Sequence, residues 1–147
     1  VASSGEGATL DGKGGTGLFY LDGGCSLTLR GLTLINGRDN SNGGVVYASN
    51  AGDVKIIDST IRDCSAGESG GVVIARNSGA VSISGSTVTG CSARRWGSVV
   101  YAEDSGAVSI LGSTVSGCSA APMLPLALVA CARGASAHGA VRVLEQA

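Results

Sequence analysis

The stretch VSISGSTVTGCSA at residues 81–93 recurs as VSILGSTVSGCSA at residues 108–120. The same pattern precedes both copies as VKIIDSTIRDCSA at residues 54–66 and as LTLRGLTLINGRD at residues 27–39. Each copy begins 27 residues after the one before it, without insertion or deletion. A fixed period over most of a chain indicates a repeat architecture, in which one supersecondary unit stacks on the next.

A second apolar segment precedes each copy at the same period. It reads GLFYLD from Gly17, then GVVYAS, GVVIAR and SVVYAE. Alternation of apolar with polar or small residues predicts short, half-buried strands, with Val73 and Ala75 on the inner side and Val72 and Ile74 on the other. Gly, Ser, Asn and Asp fill the joints, and no helical periodicity is visible before Pro122.

One unit per turn of a parallel β-helix fits this pattern. A coil cannot bury its apolar side alone, whereas stacking equivalent residues about 4.8 Å apart makes a continuous core. Two or three short strands per unit are too few for a propeller blade, and the spacing differs from that of a leucine-rich repeat. We therefore predict an all-β, right-handed parallel β-helix solenoid of about four to five coils.

The predicted stacking aligns particular residues in rows along the solenoid. A glycine row, Gly52, Gly79 and Gly106, marks a turn that we expect to need a positive φ. The inward rows are Phe19, Val46, Val73 and Val100, then Leu21, Ala48, Ala75 and Ala102, and finally Leu29, Ile56, Ile83 and Ile110.

Two short motifs in each unit resemble those of a known family. The repeats of chlamydial polymorphic outer membrane proteins and related pectin-lyase-like β-helices carry a GGAI motif and an FxxN motif. The similar segments here are Gly43-Gly44-Val45-Val46, Gly70-Gly71-Val72-Val73 and Gly97-Ser98-Val99-Val100, followed by Ile61-x-x-Cys64, Val88-x-x-Cys91 and Val115-x-x-Cys118. Cys replaces Asn, and Ile or Val replaces Phe, so the similarity is to the repeat type. It implies an extracellular surface role, often adhesion.

Composition and charge narrow the class of protein. The formal net charge is −1 and charged residues make up 14% of the chain, which argues against a nucleic-acid partner because such partners select a basic patch. The longest apolar run, Met123–Ala132, is about half of the roughly 20 residues that a membrane helix needs. The chain starts at Val1 without a visible signal peptide, so we expect a piece of a longer, secreted or cell-surface protein.

The two ends differ from the repeats. Residues 1–120 form the predicted repeat domain, with ASSGEGATLDG as an incomplete preceding coil. Residues 121–147 break the period and are either a C-terminal cap or a non-native tail left by a change of reading frame. As a cap, they would form a short helix over Met123–Ala132, beginning near Pro125, and a second helix over Val141–Ala147.

The tyrosines make the leading candidate site. Tyr20, Tyr47 and Tyr101 fall in one row that Ile74 completes, and strand alternation points this row outward. One interpretation is an exposed aromatic stripe that binds glycans or another surface. The other is a ladder that stiffens the solenoid or is covered by a loop.

A second outward row consists of threonines, Thr33, Thr60, Thr87 and Thr114. Regular threonine rows on flat β-helices organise water on ice. Ice binding requires two parallel rows, however, and Arg62 interrupts the neighbouring row of Ile35, Thr89 and Ser116. Ordinary surface threonine is the simpler interpretation.

Cysteines form a third row, Cys64, Cys91 and Cys118. Metal sites favour CxxC spacing with nearby His, and His138 lies in the tail, so no metal site or cofactor is predicted. Stacked Cα atoms about 4.8 Å apart fall within the disulfide range, but parallel Cβ vectors hold the Cβ atoms too far apart. We expect small, buried, reduced thiols. Cys25 and Cys131 lie outside the row, and the odd total leaves at least one thiol free.

The sequence suggests no catalytic residue. Polysaccharide hydrolysis needs paired carboxylates, whereas Asp58 and Asp63 have Gly or Asn at their equivalent positions in the other units. Lys55, Asp58 and Arg62 make a mixed-charge group that we interpret as a solvated face. We expect a non-catalytic surface module that binds carbohydrate or a cell surface. A fragment of a polysaccharide lyase-like or hydrolase-like enzyme is the alternative, and ice binding is third.

Overall fold

Short strands separated by Gly, Asn, Asp and Ser wind into a solenoid in the computed structural model, which describes residues 1–2, 7–120, 130–133 and 141–145. All regular elements in these ranges are strands, eighteen in number, and every pair of neighbouring strands is parallel. The predicted all-β parallel solenoid is confirmed, with about four complete turns.

Each turn passes through four faces, one more strand than the sequence predicted. Faces 1 and 4 are separate sheets. Face 1 stacks β2 (Phe19–Asp22), β6 (Val46–Ser49), β10 (Val73–Arg76), β14 (Val100–Glu103) and β17 (Ala130–Arg133). Face 4 stacks two-residue strands, β5 (Arg38–Asp39), β9 (Ser65–Ala66), β13 (Ser92–Ala93) and β16 (Ser119–Ala120).

Faces 2 and 3 join into one nine-stranded sheet because β15 (Val108–Ser116) runs through both. Face 2 also contains β3 (Leu27–Arg30), β7 (Val54–Ile57), β11 (Val81–Ser84) and β18 (Val141–Glu145). Face 3 also contains β1 (Ala8–Asp11), β4 (Leu32–Ile35), β8 (Thr60–Arg62) and β12 (Thr87–Thr89). Strand β1 belongs to the incomplete preceding coil that the sequence predicted.

Equivalent residues of successive coils pair without register shift from Phe19 to Ala120. Val54 N donates to Ala80 O at 2.9 Å, and Val81 N donates to Ala107 O at 3.0 Å, one repeat further along. The predicted inward rows are confirmed. Leu29, Ile56, Ile83 and Ile110 are fully buried, and the Ala48, Ala75 and Ala102 row lies beside them in the core.

Val72 and Ile74 depart from simple alternation, since both are fully buried. Val72 precedes β10, in the bend that follows Gly70, whose φ is +67°. Val45 and Val99 are buried at the equivalent positions, so this bend adds a further apolar row to the core. Ile74 is on the outer side of face 1, where the backbone of Gly43 from the preceding coil covers its Cγ2 atom.

The expectation of positive φ at Gly52, Gly79 and Gly106 is wrong. These glycines are required by close approach instead, because a Cβ at Gly79 would lie 2.8 Å from the carbonyl carbon of Gly52. The left-handed residues come two positions earlier in the chain. They are Asn50, Asn77 and Asp104, whose side chains tolerate this conformation better than most.

Three bends of the coil share one local motif: a left-handed residue followed by Ser or Cys. Between faces 2 and 3, Gly85 is left-handed and the Ser86 Oγ accepts from Ser59 N at 3.1 Å while it donates to Ser84 O at 2.9 Å. Ser59 and Ser113 repeat this geometry in the neighbouring coils. Each serine thereby satisfies a buried backbone N–H where the chain turns and the strand ladder is interrupted.

The same motif occurs at the other two bends. Between faces 1 and 2, Ser78 follows Asn77 and its Oγ accepts from Ala51 N at 3.1 Å. Between faces 3 and 4, Cys118 follows Gly117, and its Sγ accepts from Cys91 N at 3.4 Å. The cysteine row therefore replaces a serine ladder with sulfur.

Two segments of the C-terminal region differ from the helices that the sequence predicted. Ala130–Arg133 and Val141–Glu145 are strands, paired with β14 and β15 respectively. The open edge of the fourth coil offers unpaired N–H and C=O groups, and these strands satisfy them as a helix would not. The remainder of residues 121–147 lies outside the described residues.

Replacement of Gly79 by Ala should destabilise the fold by about 1–3 kcal/mol, because the added methyl group overlaps the backbone of the preceding coil. Gly15→Ala is the matched control, since nothing lies within 4 Å of a Cβ there and its φ is not positive. It should be neutral or slightly stabilising. Urea unfolding followed by far-UV circular dichroism measures both, and equal effects would contradict the close-approach explanation.

Ser86→Ala should cost about 1–3 kcal/mol because it leaves the buried Ser59 N–H without an acceptor. Ser82→Ala, on the outer side of face 2 in the same coil, is the control and should change stability by less than about 0.5 kcal/mol. The same unfolding experiment compares the two variants. If Ser86→Ala is as mild as Ser82→Ala, the serine ladder is not a stabilising element.

Candidate functional site

The predicted tyrosine row exists, but its exposure falls steeply along the solenoid. Tyr20, Tyr47, Ile74 and Tyr101 pair in register across face 1. Tyr20 is 71% exposed, Tyr47 is half-buried, and Tyr101 is only 3% exposed. An exposed stripe over all four coils is therefore wrong for Ile74 and Tyr101.

Trp96 explains the burial of Tyr101. The two rings stack with their centroids 5.8 Å apart and their planes inclined by 17°. Trp96 lies on the segment that leads into face 1, where isolated bridges align it with Ser69 and Asn42 of earlier coils. Those coils carry smaller residues at this position, so a large covering side chain is present only in the later coil.

The exposed end of the row is built differently. The rings of Tyr20 and Tyr47 are nearly parallel, with an interplanar angle of 3° and centroids 5.0 Å apart. This spacing matches the distance of about 4.8 Å between adjacent strands, so each ring stacks on the one in the next coil. Tyr47 covers one side of the Tyr20 ring, and most of the remaining ring surface faces solvent.

A depression of about 300 Å³ lies beside this pair. Thr16 and Asp39 supply its polar side chains, and the backbone of Gly17 and Gly43 forms part of its wall. One oxygen of the Asp39 carboxylate, Oδ1, accepts from the N–H groups of Ser41 and Asn42, both at 2.7 Å. These bonds fix the carboxylate at the edge of the depression. We call Tyr20, Tyr47, Thr16 and Asp39 the tyrosine site.

The threonine row is continuous on face 3, with Thr33, Thr60, Thr87 and Thr114 in register. All but the half-buried Thr33 are exposed. Thr9 of β1 extends the row by one coil, and sequence reasoning missed it because the offset there is 24 residues and not 27. Arg62 is exposed in the neighbouring row, where the sequence placed the interruption.

A second, shallower groove of about 400 Å³ follows face 4 over three coils. Arg38 and Arg94 lie toward its two ends, with Ser65 and Ser92 between them. Asp39 is the sole carboxylate among the described residues that line it. The mixed-charge group lies elsewhere. Lys55, Asp58 and Arg62 are exposed in the second coil, and Asp58 and Asp63 are left-handed bend residues.

The cysteine row is also in place, and Cys25, Cys64, Cys91 and Cys118 are all free thiols. Burial is confirmed for Cys64 and Cys91, whereas Cys118 is half-buried. Within the described ranges no group of three His, Cys, Asp or Glu side chains has a geometry that could hold a metal ion. The side chains of Cys131 and His138 lie outside the described residues.

Comparison with known proteins agrees with this architecture. The sequence profile of a family described as a right-handed β-helix region matches residues 4–136, most of the chain. The chain belongs to the right-handed β-helix family. No curated protein and no solved structure matches this β-helix significantly. In the part of the chain that the structure describes, no helix is long and apolar enough to cross a membrane.

Sequence reasoning found the tyrosines of this β-helix but missed Thr16, Asp39 and Trp96. Asp39 gave a weak signal, since Ala66 and Ala93 stand at its equivalent positions and a carboxylate there is exceptional. Trp96 gave one too, as the single Trp of the chain inside a repeat that otherwise keeps small residues. Thr16 precedes the first full repeat and has no periodic signal.

The exposure gradient predicts the order in which the tyrosines react. Tetranitromethane should nitrate Tyr20 first and Tyr47 more slowly, and it should spare Tyr101 in the folded protein, since Trp96 covers that ring. Peptide mapping by mass spectrometry gives the rate at each position, and unfolded protein serves as the control in which the three rates converge. Nitration of Tyr101 at the rate of Tyr20 would contradict the described burial.

Proposed function

We propose that this β-helix is a non-catalytic structural or adhesive module of a secreted or cell-surface protein, and that it binds saccharide at the tyrosine site. The observation that carries the proposal is the exposed Tyr20 ring, stacked on Tyr47 beside a polar depression. Soluble proteins seldom leave a large aromatic ring this exposed, and exposed rings of this kind mark interaction sites.

Saccharide is the ligand class that this chemistry suits best. A pyranose ring has apolar C–H faces that pack on an aromatic ring, while its hydroxyl groups need acceptors and donors at the rim. In the tyrosine site the Tyr20 ring supplies the apolar surface. The Asp39 carboxylate supplies a hydrogen-bond acceptor, and the Thr16 hydroxyl supplies both a donor and an acceptor.

Rigidity favours binding here. Tyr20 belongs to a strand that pairs with β6 in register, and its ring is held by Tyr47 in the next coil. The Asp39 carboxylate is held by two backbone N–H groups. A ligand therefore orders few protein side chains when it binds, which lowers the entropic cost of binding.

The alternative, a fragment of a polysaccharide-degrading β-helix, takes its support from the groove along face 4, whose length over three coils suits an extended chain. Glycoside hydrolysis generally uses two carboxyl groups that flank the scissile bond. Asp39 alone lines the described part of this groove, and its Oδ1 already accepts two backbone N–H groups. Release of reducing ends or unsaturated products from a polyuronide would favour this alternative over the binding module.

The extracellular location and the similarity to chlamydial polymorphic outer membrane protein repeats belong to the same proposal. The family assignment supports the β-helix itself, and the GGAI-like segments support the repeat type. In the structure these segments place left-handed glycines, Gly43, Gly70 and Gly97, at the entry to face 1. An adhesive solenoid that displays its binding residues on such a face agrees with these features. A longer chain would carry further coils.

Tyr20→Ser should weaken saccharide binding at least about tenfold, because it removes the apolar platform of the site. Tyr47→Ser should weaken binding less, since Tyr47 mainly supports the Tyr20 ring. An array of neutral and acidic oligosaccharides first identifies a bound glycan, and titration calorimetry with that glycan then compares the variants.

Tyr101→Phe is the matched control, because Tyr101 lies in the same row but is buried under Trp96. It should bind as the unmodified protein does. Thr60→Ser tests the threonine row in the same assay and should also leave binding unchanged. Full binding by Tyr20→Ser, or no binding to any arrayed glycan by the unmodified protein, would reject the tyrosine site as a saccharide site.

A further inference from the structure

The bend between faces 3 and 4 stacks three thiols, Cys64, Cys91 and Cys118, one per coil. The chain is in register on both sides of the outer pair, since Thr89 pairs with Ser116 and Ser92 pairs with Ser119. Cys91 N donates to Cys118 Sγ at 3.4 Å. Each thiol also points toward the carbonyl two residues earlier, so the three side chains share one orientation.

Exposure distinguishes the three thiols. Cys64 and Cys91 are fully buried, whereas Cys118 is half-buried at the outer end of the ladder. A small oxidant therefore reaches Cys118 without unfolding the coil. Oxidation of Cys91 by the same route would require the fourth coil to open.

Electrostatics favour the same order. The Cys91 thiol, and to a smaller extent its backbone N–H, hold the pKa of Cys118 at about 7 against the opposing effect of partial burial. Hydrogen bonds with the Cys118 and Cys64 thiols, together with burial, raise the pKa of Cys91 far above its usual range. The neighbouring carboxylate, Asp63, acts on Cys64. The thiolate, which is the reactive form, is thus concentrated at Cys118.

We propose that Cys118 and Cys91 form a reversible redox pair, in which a peroxide oxidises Cys118 and Cys91 then closes a disulfide between the third and fourth coils. Stacked Cα atoms about 4.8 Å apart are within the disulfide range. The parallel Cβ vectors leave such a disulfide strained, and strained disulfides are the ones that thiols reduce easily.

The two steps balance as follows. The Cys118 thiolate attacks one oxygen of hydrogen peroxide, so an S–O bond forms, the O–O bond breaks, and hydroxide leaves and takes a proton from water. The sulfur is oxidised to a sulfenic acid and the peroxide is reduced. Cys91 sulfur then attacks the sulfenic sulfur. The S–S bond forms, the S–O bond breaks, and the leaving hydroxide takes the Cys91 proton as water.

The test exposes the full folded chain to excess hydrogen peroxide, alkylates the remaining thiols and maps tryptic peptides by mass spectrometry. Peptide 77–94 contains Cys91, peptide 63–76 contains Cys64, and fragment ions separate Cys118 from Cys131 in peptide 96–133. We expect Cys118 to be oxidised at least about tenfold faster than Cys64. A Cys91–Cys118 linkage should follow and disappear with dithiothreitol.

Two variants separate the steps. Cys91→Ser should still oxidise at Cys118 but should stop at the sulfenic acid, which dimedone traps, whereas Cys118→Ser should form no linkage. Cys64→Ser is the control and should behave as the unmodified protein does. Iodoacetamide labelling of the folded protein should rise through about pH 7 at Cys118, because its thiolate fraction grows there.

Equal oxidation of Cys118 and Cys64 would overturn the proposal, and so would a persistent sulfenic acid with no linkage in the unmodified protein. These outcomes do not depend on whether Cys91→Ser folds, because they are measured on the unmodified chain. They are also independent of saccharide binding at the tyrosine site.

Discussion

In-register pairing between each coil and the next is the constraint on which the rest of this structure depends. Every strand of the complete coils finds its partners 27 residues away in both directions, so one insertion in a coil would misalign four faces at once. The core is a consequence of this register. Identical or similar residues stack above one another, and rows such as Ile56, Ile83 and Ile110 exclude water over the whole length of the stack.

The bends are where this register is hardest to maintain, because strand pairing is interrupted where the chain changes direction. A left-handed residue turns the chain at three bends, and the Ser or Cys that follows it accepts a backbone N–H from the preceding coil. Serine at two bends and cysteine at the third thus do the same work. Sulfur differs from oxygen in being a redox-active nucleophile, so a structural position gains chemistry that a serine would lack.

The outer surface of the solenoid obeys looser rules than its core. Residues on the outer side of face 1 occupy one row, yet Tyr20 faces solvent while Tyr101 is covered by Trp96. Register determines which residues are neighbours along a row. The segments that lead into each face determine which members of that row remain accessible, and these segments vary most from coil to coil. A candidate ligand site is thereby confined to the first coils.

The sequence by itself determined the solenoid, its 27-residue coil and the inward rows, because each position is repeated and a two-residue alternation leaves one core assignment for most of them. It could not identify the reason for Gly52, Gly79 and Gly106, since a positive φ and a close backbone approach both select glycine. Only the tertiary structure decided that these glycines answer close approach. It also decided that Asp39 and Thr16 join Tyr20, and that Ala130–Arg133 and Val141–Glu145 are strands. Those outcomes depend on contacts outside the period, where residues distant in the chain meet once and leave no repeated pattern to read.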